Sequence, residues 1–158
     1  MAEPTTLERH DDQGRPQEQL PLDGQGVLNG EVRLYSRGRL DAIIQYVDGK
    51  REGPATFFSE TGTRLMQVNY RADKLHGEAQ YFDPQDRMVR QSLFENDDLS
   101  GRTTEFYPSG KPREIKGYEA NLLEGILTRF AEDGKVTERI CYRGGREIPC
   151  PGPGPAAK

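Results

Sequence analysis

Any chemistry in this chain must come from two histidines, two cysteines and a scatter of carboxylates. An active site needs groups that converge. His10 lies in a polar N-terminal stretch. His76 stands directly before a glycine, where the equivalent positions elsewhere hold Ser100 and Glu124. That pattern reads as an exposed turn residue. Acids recur in every turn, so any one carboxylate pair carries little weight. No P-loop and no Gly-x-Gly-x-x-Gly element follows a strand. Cys141 and Cys150 stand nine residues apart and match no zinc spacing. Two thiols and distant histidines make a poor ligand set. The expectation is therefore no catalytic residues, no cofactor, no metal and no enzyme. The cysteines are expected as free thiols in a reducing cytosol, with a disulfide closing the short segment between them as the other option.

Composition narrows the classes further. Leu, Ile, Val and Phe together make up 31 of 158 residues, and the net charge is only −4. So few large apolar side chains cannot fill a thick core, and so small a charge does not demand disorder. A thin architecture fits both. Residues 1–29 carry six acids against two bases, and the rest of the chain balances to zero. A nucleic-acid binder shows a basic surplus on its folded part, so no nucleic acid is expected. No apolar run reaches membrane-spanning length, and residues 1–20 hold no signal-like apolar stretch. A cytoplasmic protein is the expectation.

The elements that position these residues announce themselves as repeats. Gly30, Gly53, Gly77, Gly101 and Gly125 are separated by 23, 24, 24 and 24 residues. Five positions after each glycine stands an aromatic: Tyr35, Phe58, Phe82, Phe106, Phe130. A turn residue follows: Gly38, Gly62, Asp86, Gly110, Gly134. A second aromatic closes each unit: Tyr46, Tyr70, Phe94, Tyr118, Tyr142. The first unit is one residue short. Each unit reads as two short strands around a turn whose glycine supplies positive φ. Helical periodicity is absent. One hairpin does not fold alone, so the units must stack edge to edge. The fold class expected is all-β, an elongated single array of about five hairpins forming a meandering antiparallel sheet over residues 26–149. Residues 1–25 are expected to be a disordered acidic segment, and residues 150–158 a flexible Pro/Gly tail.

Five further matches give the units a family likeness. Leu75-His-Gly77, Leu99-Ser-Gly101 and Leu123-Glu-Gly125 lead into the first aromatic, and Gly110-Lys111 and Gly134-Lys135 form the turn. These units resemble the variant MORN repeat of bacterial YwqK-like antitoxin proteins, over about residues 28–148. Asp86 in the third turn and Ile148-Pro149 at the end depart from the pattern. The resemblance implies a cytoplasmic protein-binding module that neutralises a toxic protein partner. A structural or membrane-peripheral scaffold is the alternative.

Neighbouring strand residues point to opposite faces. Phe57, Tyr81 and Tyr107 therefore lie opposite the fifth-position aromatics. They either pack within a twisted sheet or anchor a partner. Arg64, Arg87, Arg90 and Arg113 fall nearby, either solvated or available to an acidic partner surface. These seven are the candidate partner-binding residues; the oligomeric state is left open.

Overall fold

The computed structural model describes residues 2–152. Among them there is no helix, and all strands join one antiparallel sheet. The five units supply paired long strands: β3 (Gly30–Ser36) with β4 (Arg39–Val47), and β5 (Lys50–Phe58) with β6 (Arg64–Arg71). Next come β8 (Gly77–Phe82) with β9 (Met88–Glu95), β11 (Gly101–Phe106) with β12 (Pro112–Glu119), and β14 (Gly125–Phe130) with β15 (Val136–Arg143). Short strands β7 (Lys74–Leu75), β10 (Asp98–Leu99) and β13 (Leu122–Leu123) precede three of the repeat glycines, and β16 (Arg146–Ile148) closes the array. Each long strand pairs with the next, so the sheet is an open meander without crossovers.

Two kinds of turn alternate. Within a unit, the loop is closed by bonds such as Ser59 N–H to Thr63 O and Gly62 N–H to Ser59 O, with Gly62 at φ 83°. The first unit is shorter because Arg37 and Gly38, both at positive φ, make a two-residue hairpin there. Between units, two-residue turns recur at 48–49, 72–73, 96–97, 120–121 and 144–145, all ten residues at positive φ. These tips are stitched together. Asp73 N–H donates to Arg51 O, and Asp73 Oδ1 accepts from Arg51 N–H at 2.8 Å. Asp97 makes the same pair with Leu75, and Asn121 with Leu99. Each tip thus closes on the unit before it. The repeat glycines have a related role. Gly53, Gly77, Gly101 and Gly125 all take positive φ, and the strand register shifts around them, as between the Tyr70–Leu75 and Gln67–Gln80 pairs. They are bulge residues, which L side chains tolerate poorly.

The core is one residue thick and lies on one face. Val32, Ile44, Ala55, Val68 and Ala79 form a buried row, with Ala42 buried beside it. Leu34, Tyr46, Phe57, Met66, Tyr70, Tyr81 and Phe94 lean over this row half-buried. Small residues in the row leave room for the rings beside them, and this is how a chain poor in large aliphatics buries a core.

Three expectations need correction. Within the segment 1–25, expected to be disordered, β1 (Thr5–His10) and β2 (Pro16–Leu22) form a hairpin paired through Glu18 and Gln19 to β3. Thr5, His10, Gly14 and Leu22 occupy the positions of the repeat glycine, first aromatic, turn residue and second aromatic. Asp11 caps its turn by accepting from Gln13 and Arg15 N–H, as Asp83 does from Gln85 and Arg87. A neighbouring strand edge supplies the ordering that composition alone could not. Cys141 and Cys150 form a disulfide rather than remaining free. Strand β16 carries the chain back along Cys141, whose partner is Ile148, and this brings residue 150 within reach. Cys150 is therefore tethered, not part of a free tail; of the tail, residues 153–158 lie outside those described.

Candidate functional site

Residues directly opposite on adjacent strands share a face. One such row crosses the sheet from Arg9 and Glu18 through Leu34, Ala42, Phe57, Met66 and Tyr81 to Arg90, Glu105, Glu114, Arg129 and Glu138. It lies on the same face as the buried row, two residues along each strand. Its middle is apolar and aromatic. Its C-terminal third is charged. Among the described residues no second layer covers it.

The row gathers three of the candidate residues. Phe57 and Tyr81 are half-buried and pack against the core row, so the same rings stabilise the sheet and form its surface. Arg90 follows them, its guanidinium 3.9 Å above the Tyr81 ring. Tyr107 and Arg113 belong to the neighbouring charged patch. The Tyr107 hydroxyl donates to Phe130 O at 2.8 Å, which ties the fourth unit to the fifth. Arg64 and Arg87 lie at the turn edge and are engaged locally. Arg64 grips Asp86 through two hydrogen bonds of 2.8 and 2.9 Å and stacks on Phe82 at 4.1 Å. The Arg64 hydrogen bond holds the Asp86 carboxyl below its usual range. Arg87 pairs with Asp83 at 2.8 Å.

The charged patch is built around Lys116. Its Nζ lies 2.8 Å from Glu114 and 3.1 Å from Glu105. Arg113 reaches the other Glu105 oxygen at 2.6 Å, and Arg129 bridges Glu114 at 2.9 Å to Glu138. Burial raises the Glu105 and Glu114 carboxyls, but hydrogen bonds from Arg113, Arg129 and Lys116 outweigh it and leave both lowered. Burial likewise lowers the Lys116 ammonium, and its two carboxylate partners overcome this and raise it. Two glutamates facing each other across a strand pair suggest acid–base work. Both carboxyls are lowered, so neither is a ready proton donor, and each is engaged by the cations around it. Beside them, Ser92 and Thr103 are buried and hydrogen-bonded at 3.1 Å.

The sequence reading passed over Met66, Glu105, Glu114, Lys116 and Arg129. One signal was present. Lys116 stands in the column filled by Ile44, Val68, Ser92 and Ile140, so a charge interrupts an apolar column. His76 also has a structural reading. Glu52 and Glu124 in its column accept from Ala72 and Gly144 N–H, while His76 Nδ1 has no partner. No group of three His, Cys, Asp or Glu among the described residues is placed to hold a metal ion.

Residues 99–120 and 123–143 match the family model described as the MORN repeat variant. The matched residues fall in the fourth and fifth units, which are similar to the MORN repeat variant. Such repeats are generally protein- or membrane-binding modules. No helix among the described residues is long and apolar enough to cross a membrane. No curated protein matches the chain. Among solved structures it is similar to the GtfA/B complex bound to UDP and GlcNAc, at 12% identity and a TM-score of 0.32, over 68% of this chain and 21% of the other. It is also similar to TarM, at 14% identity and a TM-score of 0.36, over 84% of this chain and 21% of the other. The chain thus spans about a fifth of the length of either.

Proposed function

We propose that this MORN-repeat chain is a non-enzymatic binding module of the antitoxin or immunity type, which neutralises a toxic protein by covering it. The observation that supports the reading is the uncovered row Phe57–Met66–Tyr81–Arg90. It combines half-buried rings with an exposed arginine on a rigid sheet, the composition favoured at the centres of protein interfaces. The charged patch beside it is internally paired and supplies a polar rim. The folded array includes the acidic β1–β2 hairpin and the chain carries a net charge of −4, so an anionic membrane has little to attract, which disfavours the scaffold alternative.

Co-expression with the product of an adjacent gene tests the proposal. The expected result is a stable complex and rescue of growth from that product's toxicity. A chain that forms no complex, and whose deletion leaves the cell unharmed, ends the antitoxin reading. The Cys141–Cys150 bond favours an oxidising compartment over the cytoplasm that the sequence suggested. Maleimide trapping of thiols in intact cells reads this directly, since two reactive thiols would return the protein to the cytoplasm.

A further inference from the structure

Three arginines sit over aromatic rings: Arg51 over Tyr70, Arg64 over Phe82 and Arg90 over Tyr81. The first two also hold a carboxylate, Asp73 at 3.3 Å and Asp86 at 2.8 Å. Ring below and carboxylate at the edge make a complete guanidinium site. Arg90 has only the ring. Its cross-strand neighbour is Glu105, but those oxygens are taken by Arg113 and Lys116. Among the described residues Arg90 makes no ion pair. The patch as a whole shows the same imbalance. Arg90, Arg113, Lys116 and Arg129 face the three carboxylates of Glu105, Glu114 and Glu138, so one positive charge is left over.

The surroundings of Arg90 suit a buried visitor. A shallow cavity of about 80 Å³ opens beside it, lined also by Tyr81, Ser92, Phe94, Thr103 and Lys116. Ser92 Oγ accepts from Thr103 and keeps its own proton to donate. Met66 and Phe57 continue the row on the other side of Tyr81. We infer that Arg90 is the anchor for an acidic side chain of the protein partner, an Asp or Glu flanked by an apolar residue that rests on Met66 and Phe57. This rests on the protein-binding reading above and adds the partner's chemistry. The partner's carboxylate completes between two molecules the site that Asp73 and Asp86 complete within one. The Tyr81 ring already holds the guanidinium over the sheet before binding, so less ordering remains to be done.

The probe is the blocked tripeptide acetyl-Leu-Asp-Leu-amide, with acetyl-Leu-Asn-Leu-amide as its uncharged counterpart. Both are titrated into the full chain while the Arg90 Nε–Hε resonance is followed by NMR. The expected result is a saturable shift with the Asp peptide and about fivefold tighter binding than with the Asn peptide. In Arg90→Gln, an exposed substitution whose folding a thermal melt confirms, the preference disappears. Equal affinities, or a preference that survives in Arg90→Gln, overturn the inference. Two other results would do the same: Arg90-dependent flotation with phosphatidylserine vesicles, or Arg90-dependent dimerisation in sedimentation. A cognate partner that binds Arg90→Gln as tightly as the original chain removes this anchor while leaving the protein-binding function in place.

Discussion

At the scale of single residues, the feature that departs most from the repeat is Lys116. An ammonium occupies a column that elsewhere holds Ile44, Val68, Ser92 or Ile140, and two glutamates make this tolerable. A half-buried charge left without its partners costs more than the pair contributes. The double variant Glu105→Gln/Glu114→Gln should therefore lose about 1–3 kcal/mol at neutral pH, measured by urea unfolding. The pH dependence has a definite sign. Both carboxyls are lowered on folding, so their stabilisation is full above the usual glutamate range. It drains away as the pH falls through their lower folded values. The original chain should lose stability on acidification below about pH 5, and the gap to the double variant should close. A gap that stays constant down to acid pH would refute the network's role.

At the scale of elements, the turns between units decide the register. Ala72 and Ala120 both sit at φ 47°, in a region that costs an L residue energy. Ala120→Gly should raise stability by about 0.5–1 kcal/mol. Asn121→Ala should lower it by about 1–2 kcal/mol, since it removes both a residue tolerant of φ 68° and the acceptor for Leu99 N–H. Shifts in the urea midpoint measure both, and like signs would contradict the turn assignment. These hairpins were legible in the sequence because glycine, aromatic and turn columns repeat at a fixed spacing. The β1–β2 hairpin was not. Thr5, His10 and Leu22 replace the diagnostic letters, and only pairing to β3 reveals their columns. The shared face of Phe57 and Tyr81 was readable from alternation along a strand, whereas Tyr107 lies in the turn beyond β11, where alternation no longer applies. The row joining Tyr81 to Arg90 and then Glu105 was not, because it depends on the register between neighbouring strands, which the bulges shift. The disulfide escaped for the same reason, since β16 had to be placed before Cys150 could be.

At the scale of the whole molecule, each unit touches only its neighbours, so stability is a sum over units and interfaces. Removing residues 1–28 should leave the five later units folded and lower the urea m-value in proportion to the lost surface. Global unfolding of that truncated chain would show that the array is not additive. The stitched tips extend the same locality to the turn edge. Asp73 answers Arg51, Asp97 answers Leu75 and Asn121 answers Leu99, each across a single repeat. A gene built this way tolerates slippage. An unequal crossover that doubles or drops one whole repeat returns every remaining tip to an equivalent acceptor, whereas a change of any other length breaks the chain of pairs. Lineages carrying this gene can therefore lengthen or shorten the sheet by one unit in a single inherited event, and alter how much of a partner it spans without redesigning any junction.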